Sequence, residues 1–204
     1  MQSVAYPMAQ ATESEPGGTS GFTTDMELTN LVVIAGLTAV LFAGALAIGE
    51  GLGEIPPDID WKAFFVVYTV IVFVPWGTPT VAAAVGATLA EGILDFFEGI
   101  EPDEPFGWAG YIIGFTVAGY FFKDPSNHTK LAIGAVLGAF VQFAIEGLVF
   151  LVVEGKALSV YLTALAGNTI THGIVLGAIP LIPVVSALQG RMKRVLAPAA
   201  QQTN

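Results

Sequence analysis

Three long stretches of this sequence contain no Asp, Glu, Lys or Arg. They cover residues 28–49, 63–90 and 157–190, which are 22, 28 and 34 residues long. A helix needs about 20 apolar residues to cross the hydrocarbon core of a bilayer. Charged residues make up only 12% of the chain, against about 25% in soluble domains. The sequence therefore predicts an all-α integral membrane protein.

Pro, Gly and charged residues divide the apolar sequence into about six predicted transmembrane helices. We place them at residues 26–48, 61–74, 80–97, 106–122, 131–153 and 157–190. The second helix is short, so residues 62–90 could form one broken helix and leave five spans. The last would be about 50 Å long as a single helix and could hide a seventh span. Pro180 and Pro183 are expected to kink it.

The two ends of the chain differ in composition from this helical domain of residues 26–190. Residues 1–25 are rich in Ser, Thr, Gly, Pro and acids, and they lack the basic and apolar regions of a secretory signal. We therefore expect residues 1–25 to form a disordered tail. Residues 191–204 are predicted to be a basic and then polar cytoplasmic tail.

The positions of Lys and Arg predict the orientation in the membrane. With six spans and a cytoplasmic C-terminus, the inside segments hold Lys123, Lys130, Arg191, Lys193 and Arg194. The outside segments hold Lys62 and Lys156. Five basic residues against two favour a plasma-membrane protein with both termini in the cytoplasm, and the acidic loops then face out.

Acidic residues outnumber basic ones by 17 to 7, which gives a formal net charge of −10. Acidic loops argue against a nucleic-acid partner and against docking on anionic lipid, and a high-salt habitat would explain them. The absence of cysteine excludes disulfides and thiolate chemistry. The sequence has no zinc-protease, serine-hydrolase or P-loop motif. We therefore expect no enzyme activity, no metal and no cofactor.

Polar residues recur in pairs at i, i+4 spacing, which places the two members of each pair on one helix face. The pairs are Glu91 with Asp95, Gln142 with Glu146, and Asn168 with His172. In the predicted orientation they lie in the outer half of the bilayer, where ionisable groups usually face a cavity or one another. We expect all but Asp95 to line an outward-facing pocket. Asp95 could instead be an ordinary interfacial residue, and His172 could be a satisfied core residue.

The expected charge of this pocket limits the ligand. The sequence places no Lys or Arg at mid-membrane depth, so no positive charge would balance that of an anionic solute. A cationic or neutral, ring-bearing solute fits better. Trp108 and Tyr111 could stack on such a ring, although both residue types are common at membrane interfaces. Glu146 is the strongest single candidate, because apolar runs flank it on both sides at residues 131–145 and 147–153.

Small residues repeat along the first predicted helix, at Ala35, Ala39, Ala43 and Ala47. A four-residue step keeps them on one slowly turning stripe. In lipid such a stripe lets another helix approach closely. That helix could belong to this protein or to a separate subunit.

Together these features resemble the substrate-binding S components of energy-coupling-factor (ECF) importers. The stripe Ala35, Ala39, Ala43 is similar to the motif with which S components dock a transmembrane coupling (T) subunit. The segments FVPWGTPTVAAAVGATLAEGILDFF, FGWAGYIIGFTVAGYFF and ALAGNTITHGIVLGAIPLI resemble, in turn, their helix 2–3 turn, fourth helix and last helix.

The resemblance covers about residues 28–188 and implies an S-component-like bundle that captures a vitamin-like solute from outside. Partner ATPase subunits would then supply the energy through the T subunit. The long acidic tail departs from the family, and acids in the presumed pocket argue against anionic vitamins such as folate or pantothenate. Two other functions stay open: a structural or regulatory subunit of a larger complex, and an intramembrane enzyme with Glu146 and His172 as acid and base.

Overall fold

The computed structural model describes residues 22–53, 55–56 and 59–196, with the backbone alone at residues 50, 98 and 192–196. The regular elements of these ranges are helices, apart from two isolated β-bridges. The α-helices are α1 (Leu28–Glu50), α2 (Phe65–Val72), α3 (Thr78–Glu98), α4 (Glu104–Phe121), α5 (His128–Glu146), α6 (Leu148–Val152), α7 (Leu158–Asn168) and α8 (Ile179–Leu196). A π-helix, Thr169–Ala178, joins α7 to α8.

These elements form six helical rods in the described part of the chain. Only Gly147 separates α5 from α6, and it keeps right-handed helical dihedral angles. Helix α7, the π-helix and α8 follow one another without a gap. The predicted all-α architecture is therefore confirmed.

Four helical stretches among the described residues are long and apolar enough to cross a membrane. They are Leu28–Gly49, Thr78–Phe97, His128–Val152 and Leu158–Arg191. Large apolar side chains such as Val32, Leu37 and Val40 lie exposed on α1, which suits a lipid-facing surface. Helix α2 has only eight residues, or about 12 Å of length, and cannot cross a bilayer alone. The chain is thus a multi-pass membrane protein, whereas six complete spans remain a prediction.

Helix boundaries differ from the prediction mainly around α2 and α8. Helix α2 begins at Phe65 rather than residue 61, because the backbone N–H of Lys62 donates to the ring of His172 instead of to a helical carbonyl. Helix α8 continues to Leu196, so the predicted C-terminal tail starts inside a helix. The rest of that tail, residues 197–204, lies outside the described residues, as do residues 1–21 of the N-terminal one.

Two further expectations change in detail. Residues 22–25 were predicted to belong to the tail, but Thr23 exchanges backbone hydrogen bonds with the turn before α3, donating to Trp76 and accepting from Thr78. The irregularity expected at Pro180 lies just ahead of it, in the π-helix. Proline lacks the N–H that a regular helix would need there, and Pro180 is accommodated as the second residue of α8.

Close backbone contact joins α1 to α3 and α4 to α5. A Cβ atom on Gly86 would collide with the carbonyl oxygen of Ala35, and one on Gly114 would lie 2.5 Å from the carbonyl oxygen of Gly138. Glycine at these positions allows van der Waals packing at short range, which is the main force between helices in lipid. These contacts hold in place the helices that carry the polar residues.

An aromatic cluster fills the interior around Phe64, which is fully buried just before α2. Its ring contacts those of Phe42, Tyr68, Tyr111, Phe115, Phe143 and His172. Phe64 and Phe143 stack with their ring centroids 5.7 Å apart. Phe143 also lines the cavity described next, so the aromatic cluster supports the cavity wall.

Candidate functional site

A cavity of about 740 Å³ opens where α1 ends, α4 begins and α5 ends. Its deeper polar wall consists of Asp60, Lys62, Glu91, Asp95, Glu146 and Asn168. Three more acids, Glu101, Asp103 and Glu104, line it near the α3–α4 connection. We call these three the acidic rim. A volume of this size is typical of small-molecule sites.

The loop between α1 and α2 places Asp60 and Lys62 in the cavity wall. Ile55 and Ile59 exchange two backbone hydrogen bonds of 2.8 Å. The Ile59 side chain occupies the space that a Cβ on Gly167 would need. These contacts anchor the loop against α7 and direct the residues after Ile59 toward the cavity.

Lys62 is the charged centre of the site. Its ammonium lies 2.8 Å from Oδ2 of Asp60 and 2.6 Å from Oε1 of Glu91, and its side chain is only 17% exposed. The ammonium also faces the ring of Tyr111, 5.7 Å from its centroid, within cation–π range. Two carboxylates and an aromatic face therefore surround one alkylammonium group.

Both loop residues of this cluster are held in their charged forms. Burial lowers the pKa of Lys62, but Asp60 and Glu91 outweigh it and raise the pKa well above its ordinary value. Burial raises the pKa of Asp60, but Lys62 and His172 outweigh it and hold the pKa well below its usual range. Favourable charge partners thus dominate over desolvation.

Glu146 lies at the last turn of α5 and lines the cavity. The side-chain amide of Gln142, one turn earlier and fully buried, donates to Oε2 of Glu146. Gly107 of α4 packs beside the same carboxyl group, because a Cβ there would lie 3.7 Å from it. The predicted i, i+4 pair is therefore a real contact, in which Gln142 orients Glu146.

His172 is fully buried in the π-helix, behind the cavity wall. Its Nδ1 atom is 3.0 Å from the backbone carbonyl oxygen of Asn168. Its Nε2 atom is 3.1 Å from the backbone nitrogen of Lys62 and 2.9 Å from Oδ1 of Asp60. The ring thus connects the last rod to the loop that carries the charged residues.

Asp95 is also part of the site, and its side chain has a defined partner. Trp108 of α4 donates its indole N–H to Oδ2 of Asp95 at 3.0 Å. Asp95 is buried and lines the cavity, one turn beyond Glu91 on α3. It is therefore more than an interfacial residue at a helix end.

The structure divides the seven predicted substrate-binding residues into two groups. Glu91, Glu146 and Asn168 line the cavity. The other four stand behind its wall and contact wall residues or the core: Gln142, His172, Trp108 and Tyr111. Their expected direct contact with a ligand stays a prediction.

The expectation that the pocket lacks a basic residue is wrong. Lys62 was assigned to an outside helix end, yet its side chain reaches the cavity because residues 61–64 precede α2 instead of forming its first turn. One signal could have indicated this: Lys62 is a single basic residue between an acidic loop and a 28-residue run without charge. Asp60, two residues earlier, was missed with it.

The alanine stripe lies beside the contact between α1 and α3. Ala35, Ala39 and Ala43 are half-buried, and Ala47 is exposed. Ala39 and Ala43 pack against the hydrophobic core, and the Ala35 backbone meets Gly86. The stripe thus contributes to an internal seam along much of its length, and docking of a separate subunit on it remains a prediction.

No group of three or more His, Cys, Asp or Glu side chains is arranged to hold a metal ion within the described ranges. Comparison of the chain with protein-family models, with characterised proteins and with solved structures gives no match. The functional argument therefore depends on the chemistry of the cavity.

Proposed function

We propose that this chain is a membrane-embedded solute-binding subunit of an importer of the ECF type, and that it captures a small organic cation. The observation that carries the proposal is an acid-rich cavity at one end of a helical membrane protein, whose wall contains one lysine among the residues that the structure describes. Carboxylates in such surroundings are costly unless they serve a cavity or a partner. A solute site is the simplest use of this arrangement.

The charge of the cavity favours a cation over an anion. Among the described residues, seven carboxylic acids line it, against the one ammonium of Lys62, which Asp60 and Glu91 already hold. An anion would have to displace those carboxylates before it could reach the lysine. Burial and the neighbouring Asp95 raise the pKa of Glu104 to about 9, so Glu101 and Asp103 supply the negative charge of the acidic rim. They would attract cations from solution, because clefts lined by charges of one sign concentrate the opposite ion.

The sequence suits a subunit that depends on partners for energy. It has no phosphate-binding P-loop motif, so import against a gradient would need ATPase subunits and a coupling subunit. The coupling subunit would dock on α1, whose exposed face carries Gly36 and Gly44 with open space beside them. In this proposal the protein lies in the plasma membrane with the cavity facing out.

The two alternative functions fit the site less well. A purely structural subunit does not need an acid-lined cavity of this size. An enzyme using His172 as a general base would need a free ring nitrogen facing the substrate, but both nitrogens of His172 contact protein groups and the ring is fully buried. These observations favour binding over catalysis.

A thermal-shift panel tests the proposal on the purified protein in detergent. The panel contains organic cations such as choline and n-butylammonium, neutral butyramide, and the anion n-butyrate, all at equal ionic strength. Cations should raise the melting temperature, because a ligand that binds only the folded state stabilises it. Stabilisation by the anion instead of the cations would contradict the proposed function.

A further inference from the structure

The cavity contains a complete binding arrangement for an alkylammonium group, and the protein's own side chain occupies it. The Lys62 ammonium contacts Asp60 at 2.8 Å and Glu91 at 2.6 Å and faces the ring of Tyr111. Carboxylates combined with an aromatic face are the usual protein partners of ammonium groups. The same atoms could hold the ammonium of a ligand.

Carboxyl groups outnumber ammonium groups in this cluster. Asp60, Glu91 and Glu146 all interact electrostatically with the one ammonium. With all three carboxylates ionised, the four groups would carry a net charge of −2. A second cation could therefore enter while the Lys62 ammonium stays in the cavity. The two cations would then divide the three carboxylates between them.

Two fully buried polar atoms behind the cavity wall have unused hydrogen-bonding capacity. Among the described residues, neither the hydroxyl of Tyr111 nor Oε1 of Gln142 has a hydrogen-bond partner. Tyr111 is 1% exposed, and its hydroxyl interacts electrostatically with Lys62, Glu91 and Glu146. Buried polar groups normally have partners, and both atoms can accept a hydrogen bond from an ammonium N–H.

We infer that Lys62 is a displaceable occupant of the ligand's cation subsite, and that the ligand carries a primary ammonium group that takes over its contacts with Asp60 and Glu91. This inference rests on the proposed function and names the ligand class. Lysine suits the role because its ammonium is a compact charge on a flexible four-carbon stem. On displacement, the ammonium can pair with Glu146 in the same cavity.

Calorimetric titration with n-butylammonium, which has the length of the lysine side chain, tests the inference. The proteins are the wild type, Lys62→Met and Lys62→Arg, with butyramide as the neutral control ligand. Lys62→Met keeps the length of the side chain and removes the competing charge, so its dissociation constant should fall at least tenfold. Lys62→Arg should bind more weakly than the wild type, because a guanidinium pairs with two carboxylates in a fixed geometry and is harder to displace.

The outcomes separate this inference from the proposed function. Equal affinities in all three proteins would overturn the role of Lys62 but keep a cation site. Binding of n-butylammonium to none of them would overturn both. If Lys62→Met does not fold, the comparison of Lys62→Arg with the wild type still tests whether Lys62 competes with the ligand. An unchanged or higher affinity in Lys62→Arg would overturn the inference.

Discussion

The Nε2 atom of His172 lies 2.9 Å from Oδ1 of Asp60, and the backbone nitrogen of Lys62 lies 3.1 Å from the same Nε2. These contacts need opposite roles, because Nε2 accepts from the Lys62 N–H only when it carries no proton and donates to Asp60 only when it does. Nδ1 faces the Asn168 carbonyl oxygen, which can only accept, and so carries a hydrogen. His172 therefore contacts both the backbone and the carboxylate of the charged loop.

Replacement of His172 should loosen this loop without disturbing the core. His172→Phe keeps the ring contacts with Phe64 and Phe143 but removes both nitrogens. It leaves the Lys62 N–H without its acceptor, which should cost about 1–3 kcal/mol in the free energy of unfolding. His172→Gln, which retains an acceptor, should cost less. Chemical denaturation in detergent measures both, and equal stability of His172→Phe and the wild type would contradict the role.

The charged loop should make stability depend on pH only at the extremes. The folded-state pKa of Asp60 lies below its ordinary 3.8, so its contribution is present above that value and is lost as the pH falls below it. The pKa of Lys62 lies above its ordinary 10.5, so its contribution is complete below 10.5 and is lost as the pH rises through the folded-state value.

Melting curves of the wild type and Asp60→Asn at several pH values check this behaviour. The difference in melting temperature should stay constant between about pH 5 and pH 9 and shrink below about pH 4. A difference that disappears near neutral pH would show that Asp60 is not held in its charged form by Lys62 and His172.

The contact between α1 and α3 should tolerate no side chain at Gly86. Gly86→Ala places a methyl group against the carbonyl oxygen of Ala35, which should lower stability by about 1–3 kcal/mol through overpacking. Gly36→Ala is the matched control on the other partner helix, since nothing lies within 4 Å of a Cβ there. Thermal unfolding should show a loss for Gly86→Ala alone. Equal losses for the two variants would mean that the seam is not closely packed.

The predicted orientation can be tested with single cysteines, because the natural chain has none. Ser126 and Glu154 are exposed residues close to the two ends of the rod formed by α5 and α6. An impermeant thiol reagent on intact cells should label Glu154→Cys and leave Ser126→Cys unlabelled. The reverse pattern would place the cavity on the cytoplasmic side and contradict import from outside.

Local patterns in the sequence predicted the helices and three of the six residues in the deeper polar wall, namely Glu91, Glu146 and Asn168. Apolar runs and the polar, Pro and Gly residues between them identified the four long apolar helices, and helical spacing identified Gln142 with Glu146, whose side chains do meet. Such features depend only on residues one turn apart. Asn168 and His172 also meet, through the backbone carbonyl of Asn168.

The position of Lys62 could not be predicted from local pattern, because distant residues determine it. Glu91 is 29 positions later in the chain, and His172, which binds the Lys62 backbone, is 110 positions later. The apolar sequence after Lys62 favours a helix that begins at residue 61. The tertiary hydrogen bond to His172 and the ion pairs outweigh that local preference.

Glu146 should contribute to cation affinity, because it lines the cavity and can pair with the Lys62 ammonium when a ligand takes over Asp60 and Glu91. Glu146→Gln keeps the shape and removes the charge, and loss of one partner from a buried charged contact should cost about 2–5 kcal/mol, or roughly 30-fold to several-thousand-fold in dissociation constant. Glu154→Gln is the control, because Glu154 pairs with Lys156 in an exposed loop and does not line the cavity. A melting curve of each variant separates lost affinity from lost stability.

Native mass spectrometry of the protein purified from its own membranes tests the central claim most directly. The wild type and Glu154→Gln should each carry a small organic cation as added mass, and Glu146→Gln should carry it in a much smaller fraction of molecules. Dissociation in the gas phase should release that mass as a positively charged amine. Equal occupancy in Glu146→Gln, or an anionic bound molecule in all three proteins, would contradict a cation site in this cavity.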